Sequence, residues 1–416
     1  MDVIRISTAG SVDDGKSTLI GRLLYDTGCI TKDKLEAIEA ASKRKGLDFT
    51  DLSLLTDGLI AEREQGITID VAHIYFSTAG RKYIIADSPG HVEYTRNMIT
   101  GASKAAVSLI LADSRKGVVE QTRRHFYIAS LLRIRQVLVC INKMDLVQYD
   151  PAAFYTIQQD VEIMAAKAGF AEQQVTFIPV VAKEGDNIVF PSRHMPWYTG
   201  ETLLEYLEHI NPSSGAGERP ARYPIQYVIR PGQDTHHDFR GYAGKVESGS
   251  FAVGDEVTAL PSLRTSVITS ISTYRQKKTQ ALEKESVVIT LEDELDISRG
   301  DMLVKKNQSI PQYAVIRATI CWMDNRPMTA GKMYLLQHGT NRVKAKLTSI
   351  DSVLDVSTLD PFSEKKDIGL NDIGEVRLTL ARPVFADSYL ANPGNGSFIL
   401  IDEHSHHTVA VGFIRE

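Results

Sequence analysis

A short glycine-rich segment near the N-terminus constrains the fold more than any other feature of the sequence. It follows an apolar run at residues 3–6 and leads into a helical pattern that carries Leu19 and Leu23. Its spacing is G-x-x-x-x-G-K-S, and its residues are Gly10, Ser11, Val12, Asp13, Asp14, Gly15, Lys16 and Ser17. Glycine at both ends lets the backbone curl tightly enough to aim its N–H groups at a phosphate, aided by the helix N-terminus. The order strand, loop, helix predicts a phosphate site in which Lys16 neutralises phosphate charge and the Ser17 hydroxyl binds Mg²⁺.

The first half of the chain predicts an α/β domain with a mostly parallel sheet flanked by helices. Up to about residue 210, short runs rich in Val and Ile alternate with longer helical stretches. The candidate strands are residues 3–6, 83–86, 107–112, 137–141 and 175–180. They are nearly continuously apolar, as expected for strands that are covered on both faces. Leu19, Ile20, Leu23 and Leu24 form one face of the first helix, and Gly28 follows where that helix can end.

The second half changes to short β-branched runs separated by turns, a pattern typical of all-β barrels. A stretch rich in Pro, Gly and Ser at residues 211–224 has the composition of an interdomain linker. Runs at residues 224–229, 243–246, 256–259 and 287–291 predict one antiparallel barrel. After a boundary near 305–311, runs at 314–321 and 342–349 predict another all-β unit. We therefore predict an α/β domain at residues 1–210 and two β-barrel domains at 221–307 and 312–416.

The four residues that follow the candidate strand at 137–141 are predicted to select the nucleotide. They are Asn142, Lys143, Met144 and Asp145, and a loop at this place lies beside the phosphate loop at the carboxyl edge of a parallel sheet. An Asp carboxylate accepts two hydrogen bonds from adjacent donors; guanine offers N1–H and N2–H₂ side by side, and adenine offers no such pair. N-K-x-D alone is often only a helix cap or a turn, but behind a phosphate loop it predicts GTP as the ligand.

Further positions predict contacts to the terminal phosphate and its metal ion. Asp87 follows the candidate strand at 83–86 and can reach Mg²⁺ through water, while Gly90, which lacks a Cβ, lets its N–H approach a γ-phosphate. The Thr68 hydroxyl can complete the Mg²⁺ shell when GTP is bound. His91 has two interpretations, since it either positions the attacking water or simply begins a surface helix at residues 92–101.

Composition excludes several other classes of protein. The chain has 416 residues, is 43% hydrophobic and carries a formal charge of -5, so it lacks the general basic charge that nucleic-acid or anionic-membrane binding favours. Its cysteines, Cys29, Cys140 and Cys321, include no C-x-x-C pair, which argues against a disulfide framework and fits a reducing compartment. Because no signal peptide or membrane-spanning apolar run is recognisable, we expect a soluble cytoplasmic protein with no nucleic-acid or membrane partner.

These motifs in this order resemble the translation-factor class of P-loop GTPases, such as elongation factor Tu. A more specific similarity, to the GTPase subunit of bacterial sulfate adenylyltransferase, covers essentially the whole chain. It rests on SVDDGKSTLIGRLLYDTG, EYTRNMITGASKA, RKGVVEQTRRH, INKMDLV, DFRGYAG and LEDELDISRGD. The resemblance implies a GTPase domain followed by two β-barrels, in a heterodimer or higher hetero-oligomer. In that family this subunit hydrolyses GTP, while a smaller ATP-binding subunit converts ATP and sulfate to adenylyl sulfate and pyrophosphate.

The resemblance also implies a role for each motif. Residues 10–18 contact phosphate, which adds Thr18 to the loop. The implied catalytic residues are His91, Lys16 and Thr68, the metal ligands are Ser17, Thr68 and Asp87, and the guanine contacts are Asn142, Lys143 and Asp145. Asp14 stands where translation factors commonly have histidine, which favours the sulfate branch. The loop that supports guanine usually reads Ser-Ala-Leu, but here it reads Val181-Ala182-Lys183. Only backbone donation from Ala182 and Lys183 therefore carries over to this chain.

Two other functions stay open on the sequence alone. A translation elongation-factor-like GTPase that delivers aminoacyl-tRNA has the same domains and motifs, and an acidic net charge does not exclude it. A GTP-dependent binding module would only assemble a complex, with hydrolysis serving as a timer. Co-purification separates the three functions, because the first predicts a small ATP-binding subunit, the second tRNA, and the third neither.

Overall fold

The computed structural model describes residues 3–44, 46, 50–55, 72–87, 95–167, 174–211, 219–230, 239–274, 276–362 and 365–415. The chain forms two compact units, Met1–Ser214 with Asp355–Asp360 and Gly215–Leu354 with Pro361–Glu416. Within the described ranges, no helix combines the length and the apolar character that crossing a membrane requires. The finer division into three domains at 1–210, 221–307 and 312–416 stays a prediction.

The first unit is built on a six-stranded, mostly parallel sheet. Its strands β1 to β6 are Val3–Ala9, Ala72–Ser77, Lys82–Asp87, Val107–Asp113, Gln136–Asn142 and Gln174–Pro179. Their order is β2-β3-β1-β4-β5-β6, with only β2 antiparallel to its neighbour. Every residue of β4 and β5 is buried, because both faces of this central part are covered. The five predicted strands are confirmed, whereas β2 escaped prediction because it is a largely exposed edge strand.

Helices cover this sheet. They are α1 Lys16–Asp26, α2 Lys32–Arg44, α3 Thr95–Ala102, α4 Glu120–Leu131, α5 Pro151–Lys167 and α6 Leu203–His209, with 3₁₀ turns at Leu52–Leu55 and Met144–Val147. The predicted apolar face of α1 is confirmed, since Leu19, Ile20, Leu23 and Leu24 are all buried. Gly28 follows the end of α1 with a φ of 68° and donates its N–H to the Tyr25 carbonyl. A left-handed residue at this place is a common way to end a helix.

The second unit begins with a closed β-barrel. Strands β7 to β15 are Arg222–Ile229, Gly241–Lys245, Ser250–Ala252, Glu256–Leu260, Arg264–Ser272, Lys277–Lys278, Gln280–Leu282, Ser286–Leu291 and Met302–Lys305. Six of them follow the order β10-β15-β7-β8-β14-β11, and β11 pairs back onto β10. The predicted linker at 211–224 is wrong at its end, because Arg222 is already paired with Val304 in the barrel and its side chain is buried.

A second closed barrel follows in the same unit. Strands β16 to β24 are Gln312–Trp322, Met328–Thr329, Met333–His338, Asn341–Asp355, Asp360–Phe362, Asp367–Ile368, Ile373–Phe385, Ser397–Ile401 and Thr408–Ile414. The closed part has the order β18-β23-β24-β16-β22-β19, and β19 pairs back onto β18. Alternate residues of β22 point into a core shared with Ile316, Leu336 and Leu400, as the period of a strand requires. The predicted fold class, an α/β domain followed by two all-β barrels, is confirmed.

Candidate nucleotide site

The phosphate loop joins β1 to α1 through a backbone that few residues adopt easily. The φ angles are 152° at Gly10, 67° at Asp13 and 92° at Gly15. Gly15 is also held by packing, since an added Cβ would lie 2.5 Å from the Asn142 side-chain nitrogen. The predicted need for glycine at both ends thus has two physical causes, conformation and close approach. Ser17 and Thr18 lie half-buried in the first turn of α1.

The Lys16 ammonium is fixed by the loop itself. Its Nζ donates to the carbonyl oxygens of Gly10 and Ser11, both at 2.9 Å, and the residue is buried. Burial lowers the pKa of Lys16, while nearby carboxylates, first among them Asp87, act in the opposite direction. A lysine has three N–H donors, so these two contacts orient the ammonium and leave it a further hydrogen bond.

Asp14 braces the same loop from inside, a role that the sequence prediction missed. Its buried carboxyl accepts a hydrogen bond from the Ser11 N–H at 2.6 Å. Burial raises the pKa of Asp14, and the hydrogen bond from Ser11 and the charge of Lys16 oppose that rise. In the sequence, position 14 stands out only because translation factors commonly have histidine there. That difference does not indicate a hydrogen bond within the loop.

Asp87 ends β3 at the same edge of the sheet. The Thr8 hydroxyl donates to Asp87 Oδ1 at 2.7 Å, and the carboxylate is buried. Strand β3 pairs in parallel with β1, which leads into the phosphate loop, so Asp87 at the end of β3 lies beside that loop. The Asp87 carboxylate and the Ser17 hydroxyl are oxygen donors, the type that Mg²⁺ prefers. The other residues predicted for the terminal phosphate and the metal, Thr68, Gly90 and His91, lie outside the described residues.

A cavity of about 480 Å³ lies next to the phosphate loop, within the usual size range of small-molecule sites. Its lining includes residues predicted for the phosphates, for guanine and for the supporting loop: Gly15, Thr18, Asn142, Lys143, Asp145, Ala182 and Lys183. These residues lie in or directly beside the loops after β1, β5 and β6, which the parallel sheet brings to one edge. The structure therefore assembles three sequence motifs around one cavity.

Asn142 ties these three loops together. Its Nδ2 donates to the Asp14 carbonyl at 2.7 Å, and its Oδ1 accepts from the N–H groups of Lys143 and Ala182 at 2.8 and 2.9 Å. The structure thus gives Asn142 a bracing role in addition to its predicted contact with the base. The Ala182 N–H is used to hold Asn142, and a role for it toward guanine stays a prediction.

Residues 50–52 form a wall of the cavity that the sequence prediction missed. Thr50, Asp51 and Leu52 all line it. The Leu52 carbonyl approaches α1 at Gly21, where an added Cβ would lie 2.2 Å from the carbonyl oxygen. A glycine inside a helix signals a close contact, but nothing in the sequence indicates which distant segment makes that contact.

Comparison with known proteins agrees with this geometry. Residues 1–213 match the family model described as elongation factor Tu GTP binding domain, and residues 315–415 match the model described as GTP-eEF1A C-terminal domain-like. The phosphate loop and the guanine motif both fall within the first match. The fold and the site together define a P-loop GTPase of the elongation factor Tu type, as the order of the motifs predicted.

Relatives that match nearly the whole chain define its family more specifically. Sulfate adenylyltransferase subunit 1 of Saccharophagus degradans is 48% identical over 415 residues, covering 99% of this chain and 87% of that protein. The protein of the same name from Bacteroides fragilis is 46% identical, covering 99% and 86%. The bifunctional enzyme CysN/CysC of Mycobacterium tuberculosis is 46% identical over 413 residues, covering 99% and 67%. The chain therefore belongs to the sulfate adenylyltransferase subunit 1 family, which confirms the more specific resemblance.

Proposed function

We propose that this chain is the GTP-hydrolysing regulatory subunit of a heteromeric sulfate adenylyltransferase. GTP hydrolysis here drives the unfavourable formation of adenylyl sulfate and pyrophosphate from ATP and sulfate on a smaller, ATP-binding partner subunit. Membership of the subunit 1 family supports this proposal. The sequence contains one G-x-x-x-x-G-K-[ST] motif, which supports a single triphosphate site in this chain and an ATP site in the partner.

One observation carries the assignment of GTP as the ligand of this site. Gly15 and Thr18 of the phosphate loop and Asp145 of the guanine motif border the same cavity. A nucleotide in this cavity meets backbone N–H donors at its phosphate end and a carboxylate at its base end. The carboxylate of Asp145 accepts from guanine N1–H and N2–H₂ and has no matching donor pair on adenine.

The residues present also fit Mg²⁺. Ser17 and Asp87 supply oxygen donors beside the phosphate loop, and the resemblance adds the hydroxyl of Thr68. When bound, Mg²⁺ neutralises charge that develops on the transferring phosphoryl group. Lys16 supplies a fixed positive charge for the β- and γ-phosphates. Gly90 donates its N–H to the γ-phosphate, and His91 positions the attacking water.

Coupling is tested by measuring phosphate release from GTP in three mixtures. The first contains this chain alone, the second adds the small subunit, and the third adds ATP and sulfate as well. We expect a stepwise rise in rate, because a switch that hydrolysed GTP without substrates would do no coupled work. Lys16→Ala is the control for contaminating hydrolysis and should abolish the rise. Equal rates in the three mixtures would refute the coupling.

A further inference from the structure

The turn that follows β4 is bonded to the guanine motif. The Lys116 and Gly117 N–H groups donate to the Asp113 carbonyl at 2.9 and 3.0 Å, which closes the turn. The Ser114 N–H donates to the Asn142 carbonyl at 2.9 Å, and the Ser114 hydroxyl donates to the Lys143 carbonyl at 2.8 Å. This turn therefore holds the main chain at the start of the guanine motif.

The Lys143 side chain is held at its far end. The backbone of Lys143 has a φ of 65°, a left-handed conformation that is unfavourable for a non-glycine residue. Its ammonium donates to Asp113 Oδ2 at 3.0 Å and to the Asp13 carbonyl at 2.5 Å. The Lys143 stem, which borders the base cavity, is thus fixed between the turn after β4 and the phosphate loop.

Asp113 is itself fixed by Arg115. Arg115 Nε donates to Asp113 Oδ1 at 3.0 Å and Nη2 to Oδ2 at 2.7 Å, and the Arg115 N–H adds a bond of 3.0 Å to Oδ1. The Asp113 side chain is fully buried. Burial alone would raise its pKa, but the hydrogen bonds from Arg115 and Lys143 outweigh burial and hold the pKa of Asp113 well below its usual value. The three hydrogen bonds from Arg115 therefore fix the carboxylate in place as an anionic partner for Lys143.

We propose that Asp113 is a positioning residue for the guanine site and acts through the ammonium of Lys143. A free lysine stem samples many rotamers, and fixing it costs conformational entropy. The Asp113 carboxylate fixes the stem before a nucleotide arrives, so the wall of the base cavity is already formed. This inference rests on the proposed function, in which Lys143 contacts guanine.

A double-mutant cycle tests the route through Lys143. GDP affinity is measured with a fluorescent GDP analogue for the full chain, Asp113→Ala, Lys143→Met and the double variant. Lys143→Met keeps an unbranched stem of similar length, with sulfur in place of one methylene, and removes the ammonium. We expect Asp113→Ala to weaken GDP binding by about tenfold in the unmodified chain, because a charge-assisted hydrogen bond is lost. In the Lys143→Met background the same change should alter affinity by less than about twofold, because the interaction is already absent.

Two matched variants complete the design. Asp160→Ala removes an exposed carboxylate from α5 and should leave GDP affinity unchanged. Asp113→Asn keeps the volume and one acceptor oxygen, so its GDP affinity should lie between that of the unmodified chain and that of Asp113→Ala. It also replaces Asp113→Ala in the cycle if the alanine variant does not fold.

Each outcome decides between distinct conclusions. An equal loss in both Lys143 backgrounds would mean that Asp113 only supports the turn, and the inference would be wrong. Unchanged affinity of Asp113→Ala would also overturn it while leaving the proposed function intact. If the unmodified chain binds no guanine nucleotide, the proposed function itself fails, and this inference fails with it.

Discussion

We expect Asp387→Ala to destabilise the unit that contains the two barrels. Arg222, at the start of β7, donates Nε to Asp387 Oδ2 and Nη2 to Oδ1, both at 2.9 Å. The two side chains are only 1% and 8% exposed. The side-chain amides of Asn392 and Asn395 also donate to Asp387 Oδ2, each at 2.9 Å. One carboxylate therefore accepts hydrogen bonds from a buried guanidinium and two buried amides.

The expected cost follows from what the substitution leaves behind. Without Asp387, the hydrogen-bond partners that the described residues leave to the Arg222 guanidinium are neutral, the carbonyl oxygens of Ala221 and Ser309 at 3.2 and 3.0 Å. Breaking a buried ion pair costs about 3–5 kcal/mol of the free energy of unfolding. With a urea m-value of about 2.5 kcal/mol/M, this loss lowers the urea midpoint by about 1–2 M. The double variant Arg222→Met Asp387→Asn should lose less than Asp387→Ala, because it leaves no buried charge unpaired.

The two tryptophans make the measurement specific to this unit. The chain contains only Trp197 and Trp322, and Trp322 is buried in β16. In a Trp197→Phe background, fluorescence reports the surroundings of Trp322. Midpoints are compared, since a chain with two units need not unfold in one step. Lys306→Ala, which removes an exposed ion pair with Glu256, should shift the midpoint little. A midpoint for Asp387→Ala equal to that of this control would refute the reasoning.

Two further substitutions test the nucleotide site. Asp145→Asn places an amide donor opposite the guanine 2-amino group, whereas xanthine offers a carbonyl oxygen there. The preference for GTP over XTP should therefore invert by at least about tenfold in competition binding; an unchanged preference would mean that Asp145 does not read the base. Gly21→Ala pushes a Cβ against the Leu52 carbonyl, and such overpacking costs about 1–3 kcal/mol. It should lower both thermal stability and GDP affinity, unlike Gly80→Ala, whose Cβ meets nothing within 4 Å.

Burial explains why the central strands of the sheet were predictable from the sequence. Strands β4 and β5 are buried along their whole length, so their residues are nearly all apolar and the runs are easy to recognise. Strand β2 is largely exposed, with only Phe76 buried, so its apolar run is short, and its place in the sheet is set by pairing with β3. Arg222 was included in the predicted linker for a related reason. A charged residue beside a Pro- and Gly-rich stretch is expected to be exposed, and the sequence does not reveal its buried partner.

The candidate site also has one part that the sequence predicted and another part that it missed. Local motifs predicted the cavity residues at the phosphate loop and the guanine motif, since G-x-x-x-x-G-K-S and N-K-x-D each specify chemistry within a few positions, but they gave no sign of the wall at residues 50–52. Two of the missed braces join residues far apart in sequence: Asn142 bonds the Asp14 carbonyl, and Asp113 bonds Lys143. Their residue types are common and their spacing carries no signal. Only the three-dimensional order of the strands brings them together.

The two lysines of the motifs share a further property that spacing does not reveal. Each ammonium is held by main-chain oxygens of the phosphate loop, Lys16 by Gly10 and Ser11 and Lys143 by Asp13. Fixing a lysine side chain costs about 1.5–2 kcal/mol of rotamer entropy. Because these contacts lie within the folded chain, that cost falls on folding and not on nucleotide binding. A substitution that frees either ammonium should therefore weaken binding even when every group that touches the nucleotide is still present.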